Sequence, residues 1–220
     1  MPAEISAYVP CYNNAGTLRR AVDGVLRQSP PAASVLVVDD GSTDGSLATL
    51  AGLPVRTVRH EANLGRGAAR ARAMREAAHE FVLCCDATNV LAPEFCAKAM
   101  RWFDDPAVAA VFGVFRQDAA HTTADRWRGR HLFKLGAARS LQRDALLATS
   151  GALVRRSAVV AAGGFNPALR HSEDADLGRR LLAQGYAVVC DPGIGFVSIS
   201  QNTVGEVLEF LATGATEGEL

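Results

Sequence analysis

Val35-Leu36-Val37-Val38-Asp39-Asp40-Gly41-Ser42-Thr43-Asp44-Gly45-Ser46 decides how this chain is read. A continuous apolar run ends in two carboxylates, and small turn-forming residues follow. A parallel strand covered on both faces has no polar side to show, so it reads as an unbroken apolar run. In an open α/β sheet, ligands bind in the crevice beyond the carboxyl ends of the strands. Two adjacent acids at such a tip repel each other. The pair suits a site where one accepts hydrogen bonds from a base or ribose and the other faces the loop or a cation.

Outward from that strand, helix and strand patterns alternate. Ile5 to Val9 predicts a first strand, closed by Pro10. Thr17 is a candidate N-cap, and Leu18, Ala21, Val22, Val25 and Leu26 recur at helical spacing until Pro30-Pro31. Asp44 is placed to cap a short helix through Leu50, and Val55 to Val58 predicts a third strand. After Asn63-Leu64-Gly65 an Ala- and Arg-rich stretch predicts a helix through His79. Phe81 to Cys85 predicts a buried strand ending at Asp86, and Pro93 suits the start of a helix from Glu94 to Phe103.

Val108 to Phe115 predicts a further strand, and the polar, basic stretch Gln117–Arg143 a loop with some helix. A short strand over Ala152–Val154, a helix from Ser157 broken at Gly163-Gly164-Phe165, a helix from Glu173 to Gln184 and a strand from Ala187 to Cys190 complete the pattern. The tail after Thr213 is expected to fray. Alternation in the first half implies parallel pairing with right-handed crossovers. No repeat or low-complexity linker divides the chain, so a single α/β domain is expected.

Composition narrows the function classes. The 220 residues are 49% apolar, enough for a sizeable core. Lys plus Arg and Asp plus Glu both number 23, so the basic surplus common in nucleic-acid binders is absent. No apolar run reaches bilayer length and no signal-peptide pattern opens the chain. The 5 cysteines have no metal-type spacing, which suggests reduced, buried thiols and a cytoplasmic setting.

Four places carry candidate chemistry, each with a plainer alternative. Pro10, Tyr12 and Asn13 follow the first strand, where a Tyr face can stack a base; the alternative is an ordinary loop Tyr. Arg66, Arg70 and Arg72 follow Asn63-x-Gly65 into a helix start, where phosphate oxygens are favoured; the alternative is a solvated Arg face. Asp86-Ala87-Thr88-Asn89 ends a buried strand, where a carboxylate can meet a divalent ion or a ribose hydroxyl; the alternative is an Asp that caps its own loop. Glu173-Asp174 opens a helix, where an acid can serve as a general base or simply complement the helix dipole.

In order along the chain, these pieces resemble the inverting family 2 glycosyltransferases with the GT-A fold. The matching stretches are Val9-Pro10-Cys11-Tyr12-Asn13, Val37 to Asp44, Asn63-Leu64-Gly65 with Ala69-Arg70, Cys85-Asp86-Ala87 with Pro93, Gly163-Gly164-Phe165, and Glu173 to Leu177 with Arg180 and Gly185-Tyr186. The resemblance implies a Rossmann-like, mostly parallel central sheet flanked by helices. It divides residues 1–213 into a nucleotide-binding half over 1–115 and an acceptor-side half over 116–213, with 214–220 as tail.

It also implies non-processive transfer of a sugar from a nucleotide-diphosphate donor, a UDP-sugar foremost, to a hydroxyl of a glycan, lipid-linked or protein acceptor. A catalytically silent sugar-nucleotide or glycan-binding module of the same fold is the alternative. By similarity, Pro10, Tyr12 and Asp40 surround the base with Asp39 nearby, Asn13 belongs to the same donor-binding set, and Arg70 lies near the nucleotide or diphosphate. Asp86 is the first acid of an Asp-x-Asp motif that binds Mn2+ or Mg2+, and Asp174, with Glu173 beside it, is the base. The chain departs from that pattern. The second metal-motif acid is Thr88, Asn89 replaces a frequent third acid, and Phe196 to Ser200 lacks the His often found near the metal. The Gln-x-x-Arg-Trp signature of processive synthases is absent: Arg126-Trp127 is present, but Thr123 stands at the Gln position.

Overall fold

Alternate residues of the first two strands point to opposite sides of one sheet, and both sides are covered. In β1 (Ile5–Cys11), Ile5, Ala7 and Val9 join one buried cluster and Tyr8 joins the other. In β2 (Ser34–Asp39), Val35 and Val37 face the first cluster while Leu36 and Val38 face the second. This two-sided burial is the physical content of the apolar run in the sequence. The structure, a computed structural model, describes residues 3–116 and 140–199. Most of the expected loop Gln117–Arg143 and all of the tail 214–220 lie outside the described residues.

The remaining strands are β3 (Arg56–Arg59), β4 (Phe81–Cys85), β5 (Asn89–Leu91), β6 (Val108–Arg116), β7 (Gly151–Arg155) and β8 (Ala187–Ser198). They form one 8-stranded sheet in the order β3-β2-β1-β4-β7-β6-β8-β5. The pairings of β1 with β2, β1 with β4, β2 with β3 and β6 with β8 are parallel. Those of β4 with β7, β6 with β7 and β5 with β8 are antiparallel. The sheet is therefore mixed, with its contiguous parallel part in the first half of the chain.

Helices cover both faces. α1 (Leu18–Leu26), with Leu18, Val22 and Val25 inward, and α3 (Phe95–Met100), with Phe95, Cys96 and Ala99 inward, lie on one side. α2 (Arg66–Glu76), α4 (Arg156–Ala161) and α5 (Glu173–Ala183) lie on the other, the last burying Leu177 and Leu181. Each fully buried Leu or Val contributes roughly 1.5–3 kcal/mol of transfer free energy. This α/β architecture, a curled mixed sheet flanked by helices, is the expected one.

Several local expectations shift for identifiable reasons. α2 stops at Glu76 rather than His79, because the Ala78 and His79 N–H groups both donate to Ser6 Oγ near the start of β1. β8 runs on to Ser198, beyond the expected end at Cys190. The turn-like Asp191-Pro192-Gly193 is absorbed as an irregularity between Phe112 and Val114 of β6, with Asp191 Oδ1 accepting the Gly193 N–H at 2.7 Å. β5 was not expected, since three residues carry no period; it exists by pairing with β8. The helix expected from Glu94 to Phe103 splits into α3 and a 3-10 turn over Arg101–Asp104. Thr17 makes no side-chain cap to α1. Asp44 does receive the Ser46 N–H at 3.0 Å, at the start of a 3-10 turn over Ser46–Leu50.

Candidate functional site

The carboxyl ends of β1 and β2 are stitched together by polar side chains. The Asn13 N–H donates to Ser42 Oγ at 2.9 Å, the Thr43 N–H to Asn13 Oδ1 at 2.9 Å, and the Ala15 N–H to Asp44 Oδ2 at 2.8 Å. Asn13 thus works within the loop, which its left-handed φ of 52° permits. Asp39, at 1% exposure, also lies behind the surface: its Oδ1 accepts the Ser42 N–H at 2.9 Å, and Arg59 Nε lies 3.3 Å from Oδ2. Neither residue is among those lining the cavity described below.

Asp40 organises the next loop. Its Oδ1 accepts the Leu64 N–H at 3.0 Å, its Oδ2 accepts the Gly65 N–H at 2.7 Å, and His60 Nδ1 lies 2.7 Å from Oδ1. The carboxylate thereby anchors the entry to α2. Just inside that helix, Gly67 leaves room for a second approach. A Cβ there would meet Asn166 O at 2.2 Å and Leu169 O at 2.5 Å, both backbone atoms, while the Gly67 N–H donates to Leu169 O at 3.0 Å. The segment after α4 is held against α2 in this way, and it brings Arg170, His171 and Glu173 to the first half of the chain.

At this junction sits Arg70, 2% exposed. Its Nε donates to Glu173 Oε1 at 2.7 Å, its Nη2 to Asp86 Oδ1 at 2.8 Å, and its Nη1 to the Tyr8 hydroxyl at 3.4 Å. Burial opposes its charge, but Asp86, Tyr8 and Glu173 outweigh that cost and raise its pKa well above the ordinary value. The guanidinium is a fixed cation joining three elements. Among the described residues, the other oxygen of Glu173, Oε2, is buried without a hydrogen-bond partner.

A cavity of about 350 Å³ opens beyond these strand ends, lined by Pro10, Tyr12, Asp40, Arg70 and Asp86 of the expected site residues. Tyr12 is 46% exposed beside it. Thr88, Arg66, Arg170 and His171 line it too. Asp174 and Glu173 do not appear in the lining. Glu173 is buried behind Arg70, whereas Asp174 is half-buried at the start of α5, where its Oδ2 accepts the Thr149 N–H at 3.2 Å and the Thr149 hydroxyl at 3.3 Å. Asp40, Asp86 and Asp174 therefore do not share one cavity wall; the first two do, and the buried Arg70–Glu173 pair connects the third to them. Sequence reasoning passed over His60, Thr149 and Arg170. Each acts through partners far away in the chain, so no local pattern marks it.

The residues at the tip of β4 do not fit a resident divalent cation. Such an ion needs several hard oxygens around it. Here Asp86 is a single carboxylate already engaged by Arg70, with Thr88 next to it. Among the described residues, no group of 3 or more His, Cys, Asp or Glu side chains could hold a metal ion.

Comparison with known proteins agrees with the fold. The model of glycosyl transferase family 2 matches residues 6–161. The chain is similar to the succinoglycan biosynthesis protein ExoU of Rhizobium meliloti, 27% identical over 225 residues that cover 90% of this chain and 62% of that protein. Among solved structures it resembles the mannosyltransferase PcManGT from Pyrobaculum calidifontis in complex with GDP-Man and Mn2+. The TM-score is 0.75 at 21% identity, covering 100% of this chain and 66% of that one. It also resembles S. aureus TarS 1-349 in complex with UDP-GlcNAc, with TM-score 0.70 at 18% identity, covering 93% of this chain and 60% of that one. The chain thus spans less than two thirds of the length of each. No helix among the described residues is long and apolar enough to cross a membrane.

Proposed function

The chain belongs to glycosyl transferase family 2, and from that premise we propose that it is a non-processive, inverting glycosyltransferase using a nucleotide-diphosphate sugar. The observation that carries this reading is the cavity at the carboxyl ends of β1, β2 and β4, lined by Tyr12, by the carboxylates of Asp40 and Asp86, and by Arg66, Arg70 and Arg170. UDP-sugar is the donor proposed first, and GDP-sugar the second to be tried, because the similar structures hold one or the other.

In this scheme Tyr12 and Pro10 flank the base, and Asp40 shapes the loop that receives it. Asn13 and Asp39 hold the two strand-tip loops in place. Arg70 keeps Asp86 oriented toward the sugar end of the cavity. An acceptor hydroxyl on a glycan, lipid-linked or protein substrate attacks the anomeric carbon. The bond from that carbon to the β-phosphate oxygen breaks, and the electron pair leaves with the diphosphate. The acceptor's proton passes to Asp174, which the Thr149 bonds and the first turn of α5 hold in position. Glu173 braces that turn through Arg70. Residues 1–115 form the donor side in this reading, and 116–213 the acceptor side.

Asp174→Asn tests the assignment. Transfer is expected to fall by about 10²–10⁴, while nucleotide diphosphate binding, followed by calorimetry, changes less than about twofold. Turnover at the original rate in that variant removes Asp174 from the reaction. Binding of nucleotide with no transfer or donor hydrolysis in the unaltered chain identifies instead a silent binding module of this fold.

A further inference from the structure

The cavity holds two carboxylates and several cations, and they are not equally committed. Asp40 is engaged by the Leu64 and Gly65 N–H groups and by His60. Asp86 is engaged by Arg70, whose own charge is shared with Glu173. Asp86 and Glu173 thus share a single guanidinium, while Asp40 is satisfied by backbone N–H groups and His60, so none of the three carboxylates is without a partner. Arg66 and His171, both exposed, make no ion pair among the described residues. Arg170 is held by neutral acceptors only, Asn63 Oδ1 and the Asn63 carbonyl. On the rim, Arg66 and Arg170 are exposed guanidiniums that no carboxylate pairs with among the described residues.

A bound divalent cation would have to share Asp86 with the Arg70 guanidinium, which donates to it at 2.8 Å. Two cations on one carboxylate repel each other, and Thr88 adds only a neutral hydroxyl. A diphosphate, by contrast, offers several anionic oxygens, and the planar fork of Arg matches pairs of them. Arg66 opens α2 and Arg170 sits on the loop clamped to that helix by Gly67, so the two side chains approach the cavity from opposite halves of the chain.

We propose that the donor diphosphate is held by Arg66, Arg170 and His171, with no requirement for a divalent cation. This rests on the glycosyltransferase reading and assigns the charge-neutralising role at the leaving group to side chains. When the bond to the anomeric carbon breaks, the electron pair arriving on the β-phosphate oxygen is met by the Arg66 and Arg170 guanidiniums, with the His171 imidazole beside them.

Calorimetry on the full chain separates this inference from the reading beneath it. UDP, GDP, uridine and guanosine are titrated in EDTA and again in Mn2+. The expected result is that one nucleoside diphosphate binds in EDTA within about threefold of its affinity in Mn2+. Arg66→Ala and Arg170→Ala should each weaken diphosphate binding about tenfold, leaving nucleoside binding unchanged. Arg66 is exposed, so its variant folds independently of the outcome, and a melting curve checks this. Diphosphate binding that appears only with Mn2+ overturns the inference and leaves the glycosyltransferase reading standing. Absence of binding by every nucleotide and nucleoside, with or without metal, overturns both.

Discussion

The β3-β2-β1-β4 part of the sheet and the β7-β6-β8-β5 part reach the candidate site by different means. The first part is parallel throughout, so all its carboxyl ends open on one edge and deliver Pro10, Asp40 and Asp86 there by topology alone. In the second part the parallel pair β6 and β8 is flanked by the antiparallel strands β7 and β5, so its carboxyl ends do not all open on one edge. It supplies Arg170, His171 and Asp174 through the segment leading into α5, held by the Gly67 approach and the Arg70–Glu173 pair. A parallel sheet gathers its strand-end side chains on one edge by topology, whereas a mixed one needs specific tertiary links to bring residues such as Asp174 close to them.

The comparison is broken most severely at Arg70. Arg70→Met leaves Glu173 as an uncompensated buried carboxylate and should cost about 3–5 kcal/mol of stability. The double variant Arg70→Met, Glu173→Leu should recover most of that loss, because a well-packed apolar pair of similar volume replaces a buried ion pair at little cost. Urea unfolding measures both. A single-variant loss below about 1 kcal/mol would mean that this pair behaves as a surface salt bridge and does not couple the halves.

A smaller effect is expected at the backbone contact. Gly67→Ala places a Cβ against two carbonyl oxygens of the other half and should cost about 1–3 kcal/mol. Gly178→Ala, whose Cβ would meet Leu147 N at 2.7 Å within the second half, should cost a similar amount. Only the first should also weaken nucleotide diphosphate binding, since only it displaces Arg170 and His171. Equal binding by the two variants would detach that loop from the donor site.

The last effect is absent near neutral pH and concerns the buried thiols of the first half. Burial pushes Cys96 up from its ordinary value of 9.0 to about 12, and Cys11 and Cys84 are likewise pushed up to about 12, chiefly by burial. The folded state favours the protonated thiol, so this contribution is complete below pH 9.0 and is lost as pH rises toward about 12. Across that window each such thiol should lower stability by up to about 1.4 kcal/mol per pH unit. Cys96→Ala should flatten the decline between two alkaline urea melts; an unchanged slope would show that Cys96 titrates as an ordinary thiol.

Legibility in the sequence follows the range of the interactions. The apolar run Val35–Val38 and its acidic end were readable because both faces of that strand are covered, which demands an apolar side chain at every position. Arg70 and Asp86 were readable as candidates, yet not as partners, since 16 residues and a sheet crossover separate them. The Arg70–Glu173 pair, 103 residues apart, left no local trace. Arg170 and Thr149 belong to no motif, and their partners Asn63 and Asp174 lie 107 and 25 residues away. Asn13 and Asp39 carry the right chemistry for a ligand, yet Asn13 Oδ1 is spent on the Thr43 N–H, and Asp39 on the Ser42 N–H and on Arg59.

By itself, the sequence determined the class of fold, the parallel strand tips and the family, because these depend on periodicity and on short motifs read in order. Only the tertiary structure decided which charges are spent on one another and which remain for a ligand. Hydrogen bonds and ion pairs between distant side chains are satisfied in three dimensions, and a carboxylate that looks free along the chain is committed once a guanidinium is folded against it.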